Sequence, residues 1–162
     1  MHRTILPLGA ALFLSAAFAG CSGDTAGPAS DPSTATAELA SARVVEVHRS
    51  PGCSCCHEWE AYLRTHGYEV DAADDPDIVA FKAAHGVPGT VQSCHTALIE
   101  GYVVEGHVPV EAIEDLLARR YDIDGIILAG MPAGSPGMPG ELEGGLEVLA
   151  LADGQVTPFG SY

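Results

Sequence analysis

Three cysteines fall within four positions, Cys53, Cys55 and Cys56 in the stretch SPGCSCCHEWE, where one backbone periodicity gives way to another. Before them RVVEVHR, residues 43 to 49, alternates β-branched and polar residues, the period-two pattern of a strand. After them CHEWEAYLRTHG sets Trp59, Tyr62 and Leu63 on one helical face, and Gly67 stops the helix. The chain therefore turns from strand to helix through Ser50-Pro51-Gly52 and carries its thiols to a helix N-terminus. There the helix dipole and free backbone N–H groups favour thiolate.

The remaining elements follow the same rules. Tyr68 to Ala72 reads as a second strand, and Asp75-Pro76 opens a helix through Ile78, Val79 and Phe81 that ends near Gly86. Thr96 to Ile99 and Tyr102 to Glu105 are two strands joined through Glu100-Gly101. VPVEAIEDLLARR starts an amphipathic helix at Pro109, with Ile113, Leu116 and Leu117 inside and Arg119-Arg120 at its negative end. GIILAGMPAGSPGMPG is a Gly/Pro/Met-rich loop, and Leu146–Leu151 with Val156–Phe159 around Asp153-Gly154 form a hairpin. The order β-α-β-α-β-β-α defines an α/β, thioredoxin-like domain with a C-terminal loop and β-hairpin extension. In that arrangement the third strand runs beside the first, so Cys94 at its start is expected to meet Cys53, Cys55 and Cys56.

Three chemistries compete for such a cluster. Cys53 and Cys56 form a C-x-x-C pair suited to a thiol–disulfide oxidoreductase. Cys55 between them would scramble that exchange, and the strand start reads Ser93-Cys94-His95-Thr96 where such enzymes present a proline. A disulfide-stapled envelope lipoprotein without a ligand is the second, but adjacent cysteines cannot staple distant segments, and pairing inside the cluster closes a small loop with little entropic return. Metal binding is the third. Thiols distributed three and one suit thiolates that bridge more than one soft ion better than a single tetrahedral zinc. Thiolate with thioether favours Cu(I), with zinc second and iron–sulfur third.

Further candidate ligands are His95, adjacent to Cys94, and His107 in Gly106-His107-Val108-Pro109. Met131 and Met138 are candidates too, because they lie in a glycine-rich loop rather than at helical core spacing. His57 is a possible ligand or a cation that lowers thiol pKa. His48, His66 and His85 read as surface or satisfied core positions, and Trp59, Tyr62 and Phe81 as core.

The N-terminal stretch sets the compartment. Residues 1–20 read as a secretory signal, with Arg3 ahead of an apolar run from Ile5 to Phe18 too short for a membrane span. Removing it leaves six basic against 22 acidic residues, a net charge near −16. A chain so acidic repels nucleic acid and anionic membrane surfaces. Residues 21–42 are small and polar and read as a flexible tether, leaving 43–162 as the metal-binding domain. Phe18-Ala19-Gly20-Cys21 resembles the bacterial lipobox, with Phe18 where that pattern usually has Leu. It implies lipidation at Cys21 and a membrane-anchored, periplasm-facing lipoprotein.

Taken in order, C-S-C-C at 53–56, S-C-H-T at 93–96, G-Y-V-V-E-G-H-V-P at 101–109 and G-M-P-A-G-S-P-G-M at 130–138 form a wider pattern. Together they resemble the bacterial periplasmic metal-binding proteins of unknown-function class that include CopG-type copper-resistance proteins. The resemblance implies a thioredoxin-like fold and copper bound by Cys53, Cys55, Cys56 and Cys94. It also implies a part in copper tolerance, with redox conversion of copper and periplasmic copper-handling partners. His95, His107, Met131 and Met138 lie within the family's motifs. The departure is Cys21, since many relatives look freely soluble.

Overall fold

The computed structural model describes residues 42–162. The expected signal peptide, the tether and Cys21 lie outside the described residues. No helix among those described is long and apolar enough to cross a membrane.

Among the described residues, seven strands form one mixed sheet in the order β2-β1-β3-β4-β5-β6-β7, accompanied by three helices. Strand β1 (Val44–Arg49) is central to the first half, with β2 (Glu69–Asp74) parallel on one side and β3 (His95–Ile99) antiparallel on the other. The parallel β1–β2 pair needs a crossover, which helix α1 (Ser54–Thr65) supplies. Helix α2 (Ile78–Ala84) leads into β3, which turns through Glu100 and Gly101 into β4 (Tyr102–Glu105). Helix α3 (Val110–Arg119) then crosses to β5 (Gly125–Ile127), parallel to β4. The hairpin β6 (Glu147–Ala152) and β7 (Gln155–Ser161) extends the sheet beyond β5.

The core forms where α1 and α3 cover the sheet. Trp59 and Leu63 of α1 and Ile113, Leu116 and Leu117 of α3 are buried with Val45, Val47, Ala97, Ile99 and Val104 of the strands. The i, i+4 spacing of Trp59 and Leu63 and the 113/116/117 spacing explain why these faces point inward.

Three details depart from the sequence reading. Helix α1 starts two residues earlier than expected, because Cys53 acts as N-cap and its sulfur accepts the Cys56 N–H at 3.3 Å. Strand β5 forms at the start of the segment expected as a Gly/Pro/Met-rich loop; three residues are too short to display a period. Phe81 lies outside the main core, half-buried between His48 and His85 at ring separations of 3.8 and 4.2 Å. The three histidines set aside as non-ligands all find partners. His48 meets Asp75 and Glu46, His66 meets the Tyr62 carbonyl, and His85 meets the Phe81 carbonyl.

Candidate metal centre

The β1–β3 pairing builds the site. Arg49 lies opposite His95, so the residues just beyond, Ser50 and Cys94, meet at the sheet end. The Ser50 N–H donates to the Cys94 carbonyl at 3.1 Å, and the Ser50 carbonyl accepts the Cys53 N–H at 3.2 Å. One serine thus ties the two cysteine segments together.

The four sulfurs converge at the N-terminus of α1. Cys94 Sγ lies 3.4 Å from Cys56 Sγ and 3.7 Å from Cys55 Sγ, and Cys55 Sγ lies 3.4 Å from Cys53 Sγ. Cys56 is fully buried, while the other three are partly accessible. In this state Cys53 and Cys56 are joined by a disulfide, leaving Cys55 and Cys94 as free thiols. Sequence reasoning disfavoured pairing inside the cluster. The helix start overrides that, because the extended N-cap Cys53 and the third helical residue Cys56 come within 5.4 Å between Cα atoms.

The two histidines occupy different places. His107 Nε2 lies 3.2 Å from Cys94 Sγ, and its Nδ1 lies 2.7 Å from the Pro136 carbonyl oxygen. A carbonyl only accepts, so Nδ1 carries the proton and Nε2 turns its lone pair to the sulfur. His95 is fully buried, tilted on Trp59 at 4.4 Å and edge-on to His107 at 4.9 Å. Its Nδ1 is 3.8 Å from Cys94 Sγ, and its Nε2 is buried without a hydrogen-bond partner. His57, by contrast, is exposed and faces Glu60.

The Gly/Pro/Met-rich loop closes over these groups. Pro136 receives His107, Gly130 accepts from the Ser93 hydroxyl, and Met131 brings Sδ to 3.9 Å from Cys55 Sγ. Gly137, at φ +81°, presses on α1 so closely that a Cβ there would lie 2.6 Å from the Trp59 nitrogen and 2.9 Å from the Cys55 oxygen. Met138 is half-buried and makes no such sulfur contact among the described residues; its N–H bonds to the Ser135 carbonyl.

Burial favours the neutral forms of Cys94, His95 and His107. Burial pushes the Cys94 thiol up to about 11, with neighbouring Cys55 adding to the effect. Burial holds His107 below its ordinary value and His95 well below, the latter helped by the Lys82 charge and by the repulsion it would meet from a protonated His107. Both imidazoles are therefore neutral near pH 7, the form that ligates metals. Two donor groups have ligand atoms all within 4.8 Å of one another: Cys53, Cys55, Cys56 and Cys94, and Cys94, His95 and His107. Cys94 belongs to both. Clustered sulfur beside neutral imidazole nitrogen fits a thiophilic metal.

Fold and site together define a mixed α/β protein with a partly buried cysteine–histidine cluster that could hold a metal ion. A family described as "Protein of unknown function, DUF411" matches residues 91–138, the segment from before Cys94 to Met138. Two solved structures, both of copper resistance protein CopG, align at 38% identity over 75% of this chain. Form 2 is covered over 99% of its length with a TM-score of 0.70, and form 1 over 98% with 0.69. No curated protein matches the chain. The chain belongs to the family of these copper-resistance proteins.

Proposed function

We propose that this chain is an exported copper-binding protein that holds Cu(I) at Cys53, Cys55, Cys56 and Cys94 and acts in copper resistance. His107, His95 and Met131 complete the donor set, with Met138 of the same loop as a further thioether donor. Several soft ions bridged by thiolates suit so dense a set better than one zinc. The role is sequestration, hand-over or redox conversion of copper. The observation that carries this reading is the position of Cys94 Sγ, 3.2 Å from His107 Nε2 and within 3.4–3.7 Å of two sulfurs of the triplet. The relatives' name, copper resistance protein, selects copper among soft metals.

A thioredoxin-like core is the fold reading that the β2-β1-β3-β4 order and the crossover helix support. The secretory signal, residues 21–42 as tether, 43–162 as functional domain and a lipid anchor at Cys21 complete the proposal. They place copper and its handling proteins in the periplasm as partners.

The test is anaerobic loading of reduced protein with Cu(I), followed by dialysis and metal counting. Retained copper that is lost in Cys55→Ser, with the fold unchanged, supports the site. No retained copper rejects it. The Cys53–Cys56 disulfide favours a second reading, thiol–disulfide oxidoreductase activity. It requires disulfide-reductase activity that survives Cys55→Ser and Cys94→Ser.

A further inference from the structure

The chain contains a single lysine, Lys82, and it is buried. A lysine ammonium out of water is costly unless it is paired and hydrogen-bonded. Lys82 Nζ donates to Glu105 Oε1 at 2.6 Å and to Thr96 Oγ1 at 2.9 Å, and the Thr96 hydroxyl donates to Glu105 Oε2 at 2.6 Å. Glu105 and Thr96 are fully buried and face one another across β3 and β4. Replacing such a pair by apolar side chains is often neutral or stabilising, so stability alone does not explain it.

Glu105 has one more partner. Its Oε1 accepts the backbone N–H of Ser93 at 2.6 Å. Ser93 precedes β3, so its amide has no place in the strand ladder and meets the carboxylate instead. On the other side of the next residue, the Cys94 carbonyl accepts from the Ser50 N–H and, at 3.2 Å, from the Ser50 hydroxyl. The backbone is held before Cys94 by Glu105 and after it by Ser50. With both flanks fixed, the Cys94 side chain has only its χ1 rotation with which to aim the sulfur.

We infer that Glu105, paired with the buried Lys82, is a positioning residue that locks the Ser93 amide and so keeps the Cys94 thiol aimed at Cys55, Cys56 and His107. Its copper readout rests on the function proposed above; its thiol readout does not. The clamp needs an oxygen acceptor at position 105, and Lys82 supplies the charge that lets a carboxylate be buried there.

Two neutral double variants of the reduced full chain separate these roles. Lys82→Met with Glu105→Gln keeps an acceptor for the Ser93 N–H, whereas Lys82→Met with Glu105→Leu removes it. The leucine variant is expected to lose Cu(I) affinity by about 10- to 100-fold in competition with a chromophoric Cu(I) chelator. Its Cys94 alkylation rate by iodoacetamide, read by peptide mass spectrometry, is expected to change at least threefold, on the order set by lost positioning. The glutamine variant should stay within about threefold of the native chain on both. Equal behaviour of the two variants, whether unchanged or equally impaired, overturns the inference. A native chain that takes up no Cu(I) sinks the copper reading and leaves the alkylation comparison to decide the positioning role. If the leucine variant does not fold, amide hydrogen exchange on the native chain decides. Ser93 protection comparable to that of β3 supports the clamp, and exchange at the rate of an exposed loop amide overturns it.

Discussion

His107 stands between the Gly/Pro/Met-rich loop and the thiols: its Nδ1–H donates to the Pro136 carbonyl, and its Nε2 faces Cys94 Sγ at 3.2 Å. The loop therefore sets the tautomer that presents a lone pair to the cluster. His107→Gln is expected to weaken Cu(I) binding by about tenfold or more while the domain stays folded. Chelator competition with parallel circular dichroism checks this, and unchanged affinity would remove His107 from the donor set.

His95 should show two opposite effects. Its orphaned Nε2 is a buried polar atom without a partner, and such a group costs about 1–3 kcal/mol. His95→Phe, against Trp59, is expected to hold or raise the thermal stability of the metal-free chain and to lower its copper affinity. Thermal unfolding with and without Cu(I) measures both. A stability loss without any change in copper binding would make His95 a packing residue.

The Cys53–Cys56 disulfide divides the cluster's capacity. Oxidised protein offers two free sulfurs among the described residues, Cys55 and Cys94, and two-electron reduction frees the other pair. Thiol counting under denaturing conditions should differ by two between reduced and oxidised chains. Copper retained per chain should fall on oxidation. Equal retention in both states would show that Cys53 and Cys56 are not needed for binding.

Gly137 is where the loop is pinned to α1. An alanine Cβ there would strike the backbone of Trp59 and Cys55, at a positive φ that L side chains disfavour. Gly137→Ala is expected to cost about 1–3 kcal/mol and to release Met131 from Cys55. The measurements are thermal unfolding and the Cys55 alkylation rate, which should rise. A variant with native stability and native Cys55 reactivity would mean that the loop is held elsewhere.

Much of this centre was legible because it depends on element order. The period switch at Ser50 places Cys53–Cys56 at a helix start, and a β3 beside β1 carries Cys94 to the same end. Residue chemistry nominates His107 and the loop methionines, since thioether suits Cu(I) and a glycine-rich loop is not core spacing, but which of them reach the thiols is not legible in spacing. The Lys82–Glu105–Thr96 network is not legible in the pattern, because a lysine in a short helical segment looks like surface. The signal that could have found it is that the chain has only one lysine. Loop entropy argues against the Cys53–Cys56 disulfide, and the N-cap geometry that brings the two cysteines together outweighs it. Relative placement of the ligands is a side-chain fact, and spacing along the chain does not encode it: Met131 touches Cys55, and Met138 makes no such contact.

The C-terminus gives a pH prediction that is independent of metal. Tyr162 bonds Leu146 through both backbone groups, and its hydroxyl donates to Asp115 Oδ2 of α3 at 3.2 Å. Burial and that hydrogen bond push its phenol up to about 12. The unfolded chain releases this proton near an ordinary value of about 10. The folded state therefore holds the proton more tightly, and the associated stability is complete below pH about 10 and lost as pH climbs toward about 12. Tyr62 and Tyr68 are held above the ordinary value as well, chiefly by burial, so the native chain sums several such losses. Tyr162→Phe isolates one of them. It is expected to lower stability at neutral pH by about 0.5–1.5 kcal/mol and to make the alkaline decline shallower. Urea unfolding at several pH values from neutral through the alkaline window measures both. Identical alkaline slopes in the two chains would show that the Tyr162 phenol titrates alike in the folded and unfolded states.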